Sequence, residues 1–459
     1  MRYVSTRNNN KDYSFKEVFL KGLADDGGLF IPKSLFKFSD KELNSLKELN
    51  YQDLAKEIIQ PFVKDFINQS DLSQIINKSY SAFRKKNVID LIQIGDRKIL
   101  ELFHGPTLAF KDVAMQLLGN FYEYYLESEN KKINIVVATS GDTGAAAIEA
   151  IKGKKNINIF VLHPQDRVSS VQRKLMTTVK EKNVFNLAIK GNFDDCQNLV
   201  KSMFADQDFS NSINMSGVNS INWARIIAQA VYYFYTYFLL DSKDQNINFS
   251  VPTGNFGDVY AGYLAKKMGL PINKLIVATN ENDILHRAIS KGSYEAHKVS
   301  ETNSPSMDIQ IASNFERLIY DINESNDLIT NKIMKGIKET GQYQIGKSEL
   351  NKIKLNFLSS SINQEEVLKI IKNVYDNYKI MLDPHTAIGY GAFEKVNIDG
   401  VNVVLATAHP CKFPKAILEA TGVNEELPEE LKFILDEQEN YDIIENNLYK
   451  VKQHIKERI

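Results

Sequence analysis

The sequence predicts an α/β fold built largely on parallel sheet. Three observations carry that prediction: short apolar runs that read as buried strands, small-residue turns that follow two of them, and helix-forming stretches behind the turns. The 459 residues suffice for about two or three domains. At 43% hydrophobic and 25% charged, the composition is that of a globular protein with a sizeable core. Lys plus Arg (56) nearly balances Asp plus Glu (57), which argues against a dedicated nucleic-acid binder or a membrane-surface protein.

The elements follow in order. Up to about Asp96 the pattern is helical: Ser39 is an N-cap with Asp40 and Glu42 behind it, and Leu54, Ile58 and Phe62 recur at helical spacing. A short strand over 97–103 follows the Gly95-Asp96 turn. Residues 133–138 form an apolar strand, 140–144 a turn, 145–151 a helix stopped by Gly153, and 157–162 another strand. The longest apolar stretch, 228–240, is too short to span a bilayer and reads as a buried core helix. Residues 247–251, 275–278 and 401–406 are further strands, with helices between them. The polar stretch 291–313 is a long excursion, the chain is helical again from Asn363, and the last thirty or so residues read as a charged amphipathic tail.

The two cysteines, Cys196 and Cys411, form no CxxC or Cys/His cluster, so neither a disulfide framework nor a structural zinc is expected. The start lacks the apolar run of a signal peptide, and a cytoplasmic location is expected.

Four segments carry candidate chemistry. Thr253-Gly254-Asn255-Phe256-Gly257-Asp258 joins a strand to a helix, and free amides at that helix start suit an anion. The Asp258 carboxylate would repel a phosphate and is expected to cap the helix instead. Ser140-Gly141-Asp142-Thr143-Gly144 has the same construction, and two such turns suggest two anions at one sheet edge. A plain strand–helix turn would show either pattern. Lys111 opens an apolar helix, where burial would lower its pKa and make it a candidate Schiff-base amine; a lone lysine more often snorkels. Thr407, at a strand end, offers a neutral hydroxyl to a pyridine nitrogen. Together these describe a pyridoxal-phosphate site. Gly341 to Ser348 matches GxxxxGK[ST], but the charged segment before it cannot be the required buried strand, so the match reads as chance. Of seven histidines, His104 and His409 lie in these segments; His385 and the rest are assigned to packing or surface.

These segments resemble the threonine synthases, a family of fold-type II pyridoxal-phosphate enzymes. The residues that carry the resemblance run nearly the whole chain: 22–32 (Gly22-Leu23-Ala24-Asp25-Asp26-Gly27-Gly28 and onward), 103–112 with Lys111, 139–144, 254–258, Ser306-Met307-Asp308-Ile309, Ser313-Asn314-Phe315-Glu316-Arg317, and Thr407-Ala408-His409-Pro410-Cys411-Lys412-Phe413. The match is to the longer microbial subgroup with an added N-terminal domain. It implies a mostly helical N-terminal domain over 1–96 and a catalytic region over 97–459. Within that region it implies a small α/β subdomain near 131–215 and a large one from 97–130 and 216–459.

The resemblance further implies a carbon–oxygen lyase acting on O-phosphohomoserine, giving threonine and phosphate as the last step of threonine biosynthesis. Lys111 would be the Schiff-base residue and base. Gly254, Asn255, Phe256, Gly257, Asp258 and Thr407 would bind the cofactor. Ser140, Asp142, Thr143, Asn219, Ser220 and Arg225 would bind the substrate, the last three holding its phosphate; alternatively Arg225 forms a salt bridge. Wider relatives carry Asn where Asp142 stands. A monomer or homodimer with no nucleic-acid or membrane partner and no metal is expected. Three other readings remain: a related phospholyase giving a 2-keto acid, phosphate and ammonia; a catalytically silent protein on the same fold; and a nucleotide binder using Gly341 to Ser348.

Overall fold

The computed structural model describes residues 1–240 and 246–459. Its centre is a six-stranded sheet in the order Phe357–Ser361, Ile272–Thr279, Ile247–Pro252, Val401–Ala406, Arg97–Glu101 and Asp90–Ile94. The first five run parallel, and Asp90–Ile94 closes one edge as an antiparallel hairpin partner of Arg97–Glu101. The three central parallel strands, Ile272–Thr279, Ile247–Pro252 and Val401–Ala406, are apolar over most of their length because helices cover both faces. The strand expected over 97–103 therefore ends at Glu101, and its hairpin partner comes from residues expected to be helical.

A second sheet, parallel throughout, has the order Asp442–Glu445, Val184–Lys190, Ile157–Pro164, Ile133–Ala138 and Met215–Ser216. The C-terminus departs from expectation here. It is no tail: Asp442–Glu445 pairs with Val184–Lys190, and the helix Leu448–Lys456 buries Val451 and Ile455 in the small layer's core. By strand pairing this segment goes with the small layer, not with the large one expected for 216–459.

The N-terminal part contains four helices, Phe15–Lys21, Asp40–Leu46, Tyr51–Val63 and Gln69–Tyr80, as the pattern predicts. Ser14 and Ser39 each form a capping box with a glutamate three residues on. A three-stranded antiparallel sheet, Asn8–Tyr13, Tyr3–Ser5 and Phe30–Pro32, was not expected. Two of its strands have three residues and the third reads Asn-Asn-Asn-Lys-Asp-Tyr, so no apolar alternation announces them.

One continuous core joins this part to the large layer, with Tyr3, Phe15 and Tyr51 in the same cluster as Trp223, Tyr260 and Phe249. The apolar stretch at 228–240 is part of a helix, Trp223–Leu240, buried on all sides from Trp223 to Thr236. It packs against Tyr51–Val63, Lys111–Glu129 and Gly257–Lys267. Among the described residues no helix is long and apolar enough to cross a membrane.

The excursion at 291–313 holds one short strand, Ser293–Glu295, and one turn, Pro305–Met307. Asp308 pins it, accepting from the amide and hydroxyl of Thr302 (2.8 and 2.7 Å) and from Asn280 (2.7 Å) and Asn282 (3.0 Å). The GxxxxGK[ST] match follows a helix, Asp327–Thr340, which Gly341 terminates; Gln342–Gln344 is an edge strand and Lys347 opens an exposed helix. A phosphate loop needs a buried strand there, so the letters match without the geometry.

Candidate active site

The site lies where the carboxyl ends of the two sheets meet, strand Ile133–Ala138 leading to Asp142 and strand Val401–Ala406 leading to Lys412. Lys111 is delivered to it by backbone pairing. The Phe110 amide donates to the Thr407 carbonyl (2.8 Å), and Ala109 bridges Ala408, so Lys111 stands beside the end of strand Val401–Ala406. The residue is 8% exposed. Lys111 Nζ donates to Asp142 Oδ2 and to Ser306 Oγ, both at 3.2 Å. Burial pushes the Lys111 amine below its usual range; Asp142 opposes that, and the Lys412 and Arg225 charges reinforce it.

Asp142 opens the helix Asp142–Ile151. Gly141 before it has φ 138°, and a Cβ there would come within 2.7 Å of the Gln172 side chain, so the turn requires glycine. Asp142 is buried, with both oxygens occupied. Oδ1 takes Lys412 Nζ at 2.6 Å and Gln172 Nε2 at 2.8 Å, while Oδ2 takes Lys111 at 3.2 Å and Ser306 Oγ at 3.3 Å. Burial would raise the Asp142 pKa, but Lys111 and Lys412 outweigh it and hold the carboxyl well below its usual range.

The turn after strand Ile247–Pro252 is built differently. Phe256 sits at the N-cap of helix Gly257–Lys267 with φ 63°, left-handed and costly for an aromatic residue; its ring is held by Phe315 and Phe357. Gly254 has no room for a side chain, because a Cβ would lie 2.8 Å from the Ser306 carbonyl oxygen. The amides of residues 254–259 have no protein acceptor among the described residues. Asp258 does not cap the helix, contrary to expectation. It turns inward and accepts from the hydroxyls of Tyr232 (2.5 Å) and Tyr233 (2.9 Å) on the aromatic helix. Burial pushes the Asp258 carboxyl up to about 6, against the pull of the two tyrosines.

Arg225 lies at the start of the aromatic helix and is 3% exposed. Its NH1 donates to the Val218 carbonyl (3.1 Å), and Nε has no partner. No carboxylate pairs with it among the described residues, so the salt-bridge alternative finds no support. Burial lowers its pKa to about 10. Arg317, also fully buried, is a counter-example: Phe30 and Ile221 carbonyls accept from it, Asn314 accepts as well, and the guanidinium lies over Trp223. Ser220 is tied to the 254–258 turn, since Asn314 Nδ2 donates to both the Asn255 carbonyl (3.1 Å) and the Ser220 carbonyl (3.4 Å).

The side chains of Ser140, Thr143, Asn219, Ser220, Asn255 and Thr407 make no protein hydrogen bond among the described residues, and the Thr253 hydroxyl is buried without a partner. Such unspent donors, with a free-amide turn and a buried amine, fit a phosphorylated aldehyde cofactor. Sequence reasoning missed Lys412, Gln172 and Ser306 as site residues, though Lys412 and Ser306 lie within the quoted segments. His385, assigned to packing, is buried with Nδ1 on Asp383 Oδ1 (2.9 Å). His104 pairs with Glu101 at 2.9 Å, and burial and the Arg84 charge push His409 down to about 4.

Fold and site together define a pyridoxal-phosphate-dependent enzyme of fold type II. The family model described as "Pyridoxal-phosphate dependent enzyme" matches residues 100–407. Those for "Threonine synthase N terminus" and "Threonine synthase, C-terminal" match 2–80 and 386–455. The chain is 44% identical to a threonine synthase of Pseudomonas aeruginosa over 99% of its length and 98% of the relative's. It superposes on the pyridoxal-phosphate-bound threonine synthase of Brucella melitensis with a TM-score of 0.96 at 44% identity, covering 100% of this chain and 99% of the other. On the yeast threonine synthase the TM-score is 0.95 at 43% identity, over 100% and 98%. The chain belongs to the threonine synthase family.

Proposed function

We propose that the protein converts O-phosphohomoserine and water into L-threonine and inorganic phosphate. The observation that carries this reading is Arg225, a buried guanidinium whose Nε has no partner and whose charge is felt at Lys111. An unpaired buried cation is costly unless an anion completes it, and a forked donor suits a phosphate. Asn219 and Ser220, in the segment that leads into its helix, add neutral donors.

The free amides of 254–258, with Thr253, would hold the cofactor phosphate, and the Thr407 hydroxyl would face the ring nitrogen without protonating it. Ser140 and Thr143, half-exposed beside Asp142, are left for the substrate carboxylate. When bound, pyridoxal phosphate supplies a conjugated electron sink beside the substrate α-carbon. Lys111 would hold its aldehyde, and as a neutral base its Nζ would take the α-proton, assist removal of a β-proton, and later return a proton to the α-carbon. Arg225 retains the phosphate as it leaves the γ-carbon, the γ-carbon takes up a proton to become the methyl group, and water adds its hydroxyl at the β-carbon. The deep burial of Lys111 and Asp142 keeps bulk water from the α-carbon.

The test is product analysis with O-phosphohomoserine. Threonine and phosphate in equal amounts support the assignment. A 2-keto acid with ammonia would replace it by the phospholyase outcome.

A further inference from the structure

We propose that Lys412 is the standing counter-ion of Asp142, a positioning residue that keeps this buried carboxylate balanced whenever Lys111 is uncharged. The inference rests on the reading of Lys111 as the working amine. Lys412 is 0% exposed, and its Nζ lies 2.6 Å from Asp142 Oδ1, nearer than Lys111 at 3.2 Å from Oδ2. A second anchor fixes the ammonium on the Thr107 carbonyl at 2.8 Å. Thr107 is itself fixed, its amide and hydroxyl donating to Asp112 at 2.8 and 2.6 Å. The Lys412 carbonyl accepts from Ser169 Oγ at 2.8 Å. Both ends of the residue are therefore held, and the charge cannot swing away.

The physical need is plain. A buried carboxylate without a cation is strongly unfavourable. If Lys111 were its only cation, Asp142 would lock that amine in the ammonium form, useless as a nucleophile or base. With Lys412 in place, Asp142 keeps a partner when Lys111 loses its proton or its charge. The charged and titratable groups around the pair come from several elements. Asp142, Lys412 and Arg225 act on Lys111; Lys111, Lys412 and His385 act on Asp142; Asp112, His409 and Cys411 feel Lys412. Of these groups only Lys111 also touches Asp142, at the longer distance. The same contact joins the turn after strand Val401–Ala406 of the large sheet to the first residue of a small-layer helix.

The test measures the ionisation of Lys111 without substrate or turnover. Full-length apoprotein is methylated with formaldehyde and cyanoborohydride across a pH series, and the Lys111 peptide is quantified by mass spectrometry to give a labelling midpoint. Replacing Lys412 by methionine (K412M) leaves Asp142 to Lys111 alone, so the midpoint should rise by about one pH unit or more. Replacing Asp142 by asparagine (D142N) should lower it by a similar amount, and K412M/D142N, lacking both charges, should return to within about half a unit of the wild type. A K412M midpoint equal to or below the wild-type value overturns the proposal. If K412M alone does not fold, D142N and the double variant still decide: loss of a nearby cation must raise the midpoint from the first to the second, and equal midpoints refute a charged Lys412. The expected pattern without threonine formation would uphold Lys412 and reject the substrate assignment; threonine formation without the pattern would reject Lys412 alone.

Discussion

Asp142 and Asp258 occupy the same local position and have opposite electrostatics. Each follows a parallel strand and a glycine-containing turn, and each lies in the first turn of a buried helix. Asp142 meets two lysines and is held well below the usual carboxylate range. Asp258 meets two tyrosines, and burial pushes it up to about 6. A strand–turn–helix unit therefore presents backbone amides to a cleft but does not set the charge there. The side chains that arrive from other elements set it: a cation-rich wall at 142, and at 258 a pair of tyrosine hydroxyls beneath a turn left free for an anion.

The most severe break of this comparison is Lys111→Ala. Threonine formation should fall below detection, and the absorbance band of bound cofactor should disappear. The fold should survive, because Lys412 still pairs with Asp142; a melting temperature within a few degrees of wild type checks that. Normal turnover in this variant would remove Lys111 from the mechanism.

Asp142→Asn comes next. It leaves Lys111 and Lys412 facing each other without an anion, a loss of about 3 kcal/mol. Because the native Asp142 pKa lies below its ordinary value, its stabilisation is present above pH 3.8 and disappears only as pH falls through the folded value. The stability gap to wild type should thus stay flat between pH 4 and 6. A gap that closes across that window would mean that Asp142 titrates in it.

Arg225→Ala separates the two anion positions. The 254–258 turn is untouched, so cofactor content should be unchanged while KM for O-phosphohomoserine rises about tenfold to a hundredfold, the loss of one or two charge-assisted hydrogen bonds. An unchanged KM would leave Arg225 a structural residue like Arg317.

Both turns were legible in the sequence because their determinants are local: an apolar run, glycines, and a helix behind them. The neighbours that tell the two apart were not. The Asp258 cap was a misreading because Tyr232 and Tyr233 look like core residues on an apolar helix, and nothing local points their hydroxyls at Asp258. Lys412 stood in a quoted segment, yet only the fold sets it against Asp142. Ile444 is the lone buried residue of Asp442–Glu445, so that strand reads as a tail until its pairing is seen. Arg225 was singled out through the resemblance to the threonine synthases, and only the fold shows that it is buried without a carboxylate beside it among the described residues.

The mildest variant, Asp258→Asn, completes the comparison with the opposite sign. A carboxyl raised from 3.8 to about 6 by burial costs the folded state up to about 3 kcal/mol once ionised. Between those two values the native chain holds a proton that the unfolded chain has lost, so its stability falls as pH rises and then levels off. Asparagine does not ionise and avoids that cost. Its carbonyl still accepts from Tyr232 and Tyr233, though more weakly than a carboxylate, which returns about 1 kcal/mol or somewhat more. The variant should therefore be more stable than wild type by about 1–2 kcal/mol above pH 6, read as a melting temperature a few degrees higher, with the advantage vanishing as pH approaches 4. That slope is the contrast with the flat gap of Asp142→Asn. An Asp258→Asn gap that is equally flat would mean that Asp258 is ionised throughout, and that the two helix starts carry the same charge after all.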